Sequence, residues 1–293
     1  MDHRQLEYFL AIVDHGGFHR AASALYVSQP TLSQAVRALE RELGTALFHR
    51  IGRRVILTDA GTELIAPARA AVLSLEIAKG SVGAVRELRG GRLQVAAMAS
   101  ATVEPLGTMV RGFAERYPAV TLGLKVSLTA QEVVDAVRTG ACELGLLITA
   151  GQVRGKDIIA REIGDQRLVL VTSADGPFPA GQVVCPRQLA GHRLITGQRG
   201  TAIRAYVDDL AAHGIDVTIA VETEHRMAFL PLVLKGVGLA VVTRSWADLA
   251  RRAGAMVLDI EPAVALRNVL VSRKGELTSA ARAFLDMSVT AAG

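Results

Sequence analysis

Hydrophobic positions in the first 60 residues recur at helical spacing in three short stretches. Leu6, Phe9, Leu10 and Val13 fall at i, i+3, i+4 and i+7, and His15-Gly16-Gly17 stops the first helix. Phe18, Ala21, Ala22 and Leu25 repeat the spacing. After a short Tyr26-Val27 connection, Ser28 is a good N-cap, and Pro30 is tolerated in the first turn of a third helix. That helix carries Leu32, Val36, Leu39 and Leu43 on one stripe and closes at Gly44. On a wheel of about 100° per residue, Pro30, Ser33, Gln34, Arg37 and Arg41 lie opposite the stripe, flanked by Gln29 and Thr31.

Small, amide and guanidinium side chains on one exposed face suit the major groove of DNA. Gln pairs with adenine edges, Arg with guanine or phosphate, and Pro or Thr touches a thymine methyl. Two helices joined by a tight turn, the second exposing this face, make a helix-turn-helix. A polar face alone would fit an ordinary three-helix bundle equally well, so the following segment matters. Residues 47–58 read as a hairpin, with Val55 and Leu57 suited to a strand and Gly52 to the turn. No acidic residue occurs from Leu43 to Thr58, while His49, Arg50, Arg53 and Arg54 cluster there. The arginines are placed to reach phosphates or a minor groove, which makes the hairpin a wing.

From Thr62 to about Leu88 an Ala-rich stretch with Leu64, Ile65, Ala68, Val72, Leu75, Val82, Val85 and Leu88 predicts one long amphipathic helix. Such a helix needs a partner, either another subunit or the C-terminal domain of its own chain. Pro67 is expected to kink it near its start, and Gly90-Gly91 marks the next boundary. Beyond it strands alternate with helices. Strands are expected at 93–98, 120–126, 144–148, 167–172, 217–221, 239–242 and 266–272. Helices are expected to end at Tyr117, Arg138 and Lys235 and to cover 202–212 and 277–287. This alternation predicts βαβ units and parallel sheets.

Ligands in such sheets sit beyond the strand C-terminal ends, near helix N-termini. Those ends carry Ser100 and Thr102, then Thr129, then Thr149. Later come Thr196, Gly197, Arg199 and Thr201, followed by Thr223-Glu224-His225. Ser100, Thr102, Thr129 and Thr201 are the first candidates for effector contacts. Arg199, Arg204, His225 and Arg226 are the cations available to a carboxylate. N-capping by the hydroxyls and plain surface exposure of the charges are the competing explanations.

Composition narrows the classes. The 293 residues are half hydrophobic, which is enough for two or three packed lobes. Aromatics are only 4%, so the cores rest on Ala, Val, Leu and Ile. The balance of 33 basic and 28 acidic residues gives a net charge of +5, compatible with nucleic acid. Cys142 and Cys185 have no His or Cys at metal-ligand spacing and are expected to be buried free thiols. Neither a metal nor a cofactor is expected. No hydrolase, zinc-protease or nucleotide-loop motif occurs and the seven histidines do not cluster, so the chain is not read as an enzyme. The N-terminus lacks an apolar signal-peptide core, and no run long enough to span a membrane follows, which predicts a cytoplasmic protein. A transporter's solute receptor is the alternative for the C-terminal part; the recognition helix and arginine wing argue against it.

The run Ala21-Ala22, Leu25, Val27 to Ser33, Val36-Arg37, Leu39-Glu40, Glu42 to Gly44, Leu47-Phe48, Arg50, Arg54, Leu57-Thr58 and Ala60-Gly61 resembles the N-terminus of the LysR-type transcriptional regulators. The resemblance covers about 60 contiguous residues. It implies an all-α winged helix-turn-helix at 1–60, a linker (dimerisation) helix at 61–89 and an α/β effector-binding domain at 91–293. That domain would be two-lobed and similar to periplasmic binding proteins, with lobe I at about 91–163 and 268–293 and lobe II at about 164–267. By the same resemblance Gln29, Pro30, Thr31, Ser33, Gln34 and Arg37 contact the major groove, and Arg53 serves in the wing. It further implies double-stranded DNA as partner, a homodimer through the linker helix, a homotetramer, contact with RNA polymerase, and a small, anionic effector between the lobes. One departure is Gly17, where the family commonly has Ser, which weakens the cap of the helix from Phe18.

Overall fold

The computed structural model describes residues 1–51, 54–83, 90–153 and 155–290. Two compact units are present, one built on residues up to 88 and one on most of the chain from 89 onward.

In the N-terminal unit local capping sets the ends of the first and third helices. Asp2 and Gln5 form a reciprocal capping box at the start of α1 (His3–His15), and Gly16 closes it in the left-handed conformation. Helix α2 (Phe18–Ala24) has no side-chain cap, in line with glycine at position 17. Ser28 accepts from the Thr31 backbone N–H to start α3 (Gln29–Leu43), and left-handed Gly44 ends it. Strands β1 (Phe48–Ile51) and β2 (Arg54–Leu57) pair antiparallel, Phe48 opposite Leu57 and Ile51 opposite Arg54. Phe48 fills the space between α1 and α2, its ring centroid 5.5 Å from Phe9 and 5.6 Å from Phe18. Leu32, Val36 and Leu39 are buried, whereas Leu43, expected on the same stripe, is 40% exposed because the chain turns away at Gly44.

Helix α4 (Asp59–Gly83) starts three residues earlier than the apolar pattern suggests, with Thr58 accepting from the Gly61 N–H at 2.9 Å. It runs through Pro67 without interruption. Ala68, Leu64, Ile65 and Val72 pack on Leu6, Phe9 and Leu10 of α1, and Arg69 pairs with Asp14 at 2.5 Å. The first half of this helix is therefore built into its own N-terminal unit.

The second unit runs β3 (Arg92–Met98), α5 (Leu106–Arg116), β4 (Thr121–Ser127), α6 (Ala130–Arg138), β5 (Leu144–Thr149), β6 (Ile158–Thr172), β7 (Arg193–Thr196), α7 (Ala202–Ala212), β8 (Thr218–Glu222), α8 (Phe229–Leu234), β9 (Leu239–Thr243), α9 (Ala247–Arg252), β10 (Met256–Asp259), β11 (Ala265–Arg273) and α10 (Ser279–Thr290). Strand order is β4-β3-β5-β11-β6-β9-β7-β8, with β10 also on β6. The outer pairs β3–β4, β3–β5, β7–β8 and β7–β9 are parallel, as the alternation predicts. The middle is a correction: β11 is antiparallel to both β5 and β6, and β6 is antiparallel to β9 and β10. Strands β5 and β6 run the same way, and β11, arriving from late in the sequence, lies between them in the opposite direction, so the pairing here is not that of a βαβ unit.

Strand β6 begins nine residues before the expected 167. Its residues up to Arg167 pair with β11 and those from Leu168 pair with β9, so it carries the chain from one half of the sheet to the other. Strand β11 carries it back, and α10 then packs on α5 through Phe284 against Phe113, 5.3 Å apart. The second half has its own core of Val169, Val171, Ile195, Phe229, Val242 and Trp246. Neither cysteine is in a disulfide; Cys142 is buried, but Cys185, expected buried, is exposed just ahead of a short helical turn at Pro186–Leu189. Among the described residues no helix is long and apolar enough to cross a membrane.

Candidate nucleic-acid interface and effector cleft

With Leu32, Val36 and Leu39 turned inward, helix α3 leaves Gln29, Pro30, Thr31, Gln34 and Arg37 exposed and Ser33 half-buried on its outer face. The Thr31 and Ser28 hydroxyls share a hydrogen bond of 2.7 Å, so Thr31 is held by the cap. Glu40 on the inner side accepts from the Leu47 N–H at 2.8 Å, which fixes the start of the hairpin relative to α3. Arg50 and Arg54 belong to β1 and β2, one on each side of the turn. Arg53, and the side chains of Arg50 and Arg54, lie outside the described residues.

Tyr26, in the connection that leads into α3, precedes this face. It is the non-glycine residue with positive φ among the described residues (+55°) and is 96% exposed. The turn between α2 and α3 requires the left-handed conformation, yet the chain places there a bulky ring that packs on nothing.

In the second unit the ends of β3, β4, β7 and β8 converge on a small cleft open to solvent. Its lining includes Ser100, Leu128, Gly197, Thr201, Glu224 and Arg226. Of the expected effector residues, Ser100, Gly197 and Thr201 are thus brought together. Thr201 caps α7, accepting from the Arg204 N–H at 3.3 Å and donating to the Gln198 carbonyl at 2.9 Å. Gly197 permits the convergence, because a Cβ there would stand 2.8 Å from the Thr201 hydroxyl and 3.6 Å from Arg226 Nη2.

The other expected residues stand off the lining. Thr102 donates its hydroxyl to the Ala99 carbonyl at 2.7 Å, closing the turn after β3. Thr129 accepts from the Glu132 N–H and so caps α6; its methyl lies 3.4 Å from where a Cβ on Gly200 would be, facing the other half of the sheet. The Thr149 hydroxyl accepts from the Gly151 N–H at 3.0 Å in a loop tied to Arg267. Thr196 is fully buried with its hydroxyl unpartnered, and Arg199 and His225 are exposed.

Charge separates the candidate cations. Two arginines are buried among the described residues, Arg204 and Arg226. Arg204 is neutralised by Asp208 at 2.7 Å and by Glu222. Among the described residues Arg226 has no carboxylate partner and its Nη1 no hydrogen-bond partner, and its guanidinium rests 4.8 Å from the Phe229 ring centroid. Burial pushes it down to about 10, so it stays cationic at neutral pH at an energetic cost. Buried charges are ordinarily paired. Arg226 is thus a buried cation at the wall of the cleft that has no counter-charge among the described residues.

Comparison with known proteins gives the same two-part division. Residues 3–62 match the family described as bacterial regulatory helix-turn-helix protein, lysR family, and residues 86–293 match the LysR substrate binding domain. The chain is 31% identical over 289 residues to the HTH-type transcriptional regulator IlvR of Caulobacter vibrioides, covering 94% of this chain and 93% of that one. It is 28% identical over 294 residues to the RuBisCO operon transcriptional regulator of Allochromatium vinosum, with 99% and 96% covered. Among solved structures it is similar to full-length CbnR complexed with its target DNA, at a TM-score of 0.71 and 25% identity, with both chains fully covered. A recognition helix beside a wing, ahead of an α/β effector-binding domain, thus has both its sequence relatives and its fold in one place: the chain belongs to the LysR family of DNA-binding transcriptional regulators and is not an enzyme.

Proposed function

We propose that this regulator reads a specific DNA sequence through α3 and is switched by a small anionic effector held in the cleft at Arg226. The unpaired, buried Arg226 guanidinium carries the second half of this reading. Residues 1–60 form the reader, 61–89 the dimerisation helix and 91–293 the sensor. Leu75 on α4 is 42% exposed, which leaves apolar surface for a second copy's helix. A homodimer, pairing further into a homotetramer, acts on double-stranded DNA in the cytoplasm and there meets RNA polymerase. Effector binding draws the two halves of the sheet together and shifts the spacing of DNA-binding pairs. The shift is only as large as the ligand's differential affinity for the two arrangements.

Gln29, Pro30, Thr31, Ser33, Gln34 and Arg37 face the bases, and Arg50, Arg53 and Arg54 hold the flanking backbone or minor groove. Gln29→Ala is expected to relax base preference with a loss of roughly 1–3 kcal/mol confined to the cognate site. Arg53→Ala weakens binding to all sequences alike and lowers the salt slope by about 1. Affinities on cognate and random duplexes across a salt series check both; equal losses on the two duplexes for Gln29→Ala remove it from the base-reading set.

Tyr26 extends the interface to the sugar-phosphate backbone beside the helix N-terminus. Tyr26→Gly relieves a left-handed conformation that costs an L-residue about 1 kcal/mol, so the protein melts higher while DNA affinity falls. A variant that binds DNA as tightly as the parent leaves the ring without this role. Titrating the full chain with small carboxylates while following its DNA footprint tests the effector half, and a footprint indifferent to every anion rules that half out.

A further inference from the structure

Arg226 is not the lone unpaired charge in the cleft. Glu224, two residues earlier, lines the same wall, is exposed, and forms no ion pair with any described residue, Arg226 included. The surroundings add further carboxylates. Glu132 bonds the Leu128 N–H at 2.9 Å, where Leu128 also lines the cleft. Arg204 nearby is shared by Asp208 and Glu222, so that cluster of one cation and two anions is itself negative. Arg199 and His225 are exposed and outside the lining. The lining itself thus carries one buried cation, Arg226, and one exposed carboxylate, Glu224.

Resting on the anion reading above, we infer that the effector is a zwitterion of the α-amino acid class. Its carboxylate meets Arg226, with Ser100 and Thr201 alongside, and its ammonium meets Glu224. A dianion would set its second charge against Glu224, whereas an ammonium group gains from it. Two unlike charges held apart on one wall are complementary to two unlike charges held apart in one molecule. Leu128 and Ala99 offer a short apolar contact to a side chain.

The test is calorimetric titration of the full-length protein with the twenty protein L-amino acids, with the carboxylic acids that lack only their α-amino group, and with succinate. The expected result is that at least one amino acid binds tenfold or more tighter than its des-amino counterpart, while succinate binds weakly. Glu224→Gln levels that preference while the des-amino acid keeps its affinity. Absence of binding by every amino acid, equal binding by the des-amino acids, or an unaltered preference in Glu224→Gln overturns the inference. If anions bind through Arg226 without preference for an ammonium group, the zwitterion falls and the anionic effector stands. If Arg226→Met binds every compound as the parent does, the anionic reading itself falls.

Discussion

Arg226→Met yields a protein that resists denaturation better than the parent in the absence of ligand and has lost its response to small anions. Both effects come from one guanidinium. Burial pushes it down to about 10, equivalent to a penalty of roughly 3 kcal/mol at most for holding the charge in the folded state. The Phe229 ring returns part of that by cation–π attraction, so a gain of about 1–2 kcal/mol is expected on replacement by an apolar chain of similar reach. The pH dependence has a definite sign. From about pH 10 up to the ordinary guanidinium range the unfolded chain binds a proton that the folded one has released, so parent stability rises with pH across that window. The methionine variant lacks the rise. Anion affinity of the parent is flat below pH 10 and falls above it. Denaturant unfolding and anion titration on both proteins check this; a variant less stable than its parent would mean that Arg226 has a partner within the fold.

Gly61→Ala is expected to disable the DNA-binding unit while leaving the sensor intact. A Cβ at position 61 would stand 2.2 Å from the Leu47 carbonyl oxygen and 2.9 Å from Leu57 Cδ2. The first contact is with backbone, so no rotamer change relieves it. That same carbonyl accepts the Thr58 N–H at 3.0 Å, and Thr58 caps α4, so helix and hairpin must separate together. Overpacking of this kind costs roughly 3 kcal/mol, which for a unit of this size lowers its melting temperature by about 15 °C. Moving the hairpin displaces Phe48 from between Phe9 and Phe18, so DNA affinity falls as well. Calorimetry of the full chain should show an early transition separating from an unaltered later one; unchanged melting would show that the contact is easily relaxed.

The elements that could be read in advance are those whose ends are set by their own residues. Helix α3 starts at Gln29 because Ser28 caps it and stops at Leu43 because Gly44 turns left-handed; both signals are local. Helix α7, expected over 202–212, spans Ala202–Ala212 for the same reason, with Thr201 as cap. Strands β7 and β10 have four residues each and passed unnoticed, since so short a run shows no periodicity against charged neighbours. The first half of β6 alternates poorly, with Ile159 to Glu162 all exposed, so its pairing with β11 is visible in space alone.

The site divides in the same way. The outer face of α3 follows from a helical wheel. Arg226 was one of four cations of equal standing in the sequence, and what distinguishes it is a missing partner, which is a tertiary property. Arg204 is the same residue type at similar burial, and Asp208 one turn along its helix, with Glu222 on β8, removes it from contention. Hydroxyls at strand ends are common in this fold, and Thr102, Thr129 and Thr149 are occupied with turns and caps.

Strand β11 has a consequence for the order in which the protein is made. It sits between β5 and β6, yet Arg267 pairs with Glu162 across 105 positions of sequence and Ser272 stands opposite Leu144. While the ribosome is producing the second half of the sheet, the first half has been synthesised but lacks its middle strand. The facing edges of β5 and β6, rich in Leu and Ile, then have no neighbour, and such edges invite pairing with other nascent chains. A stall or truncation before residue 265 would release a reader whose sensor has an open sheet, a fragment for protein quality control rather than a constitutive regulator.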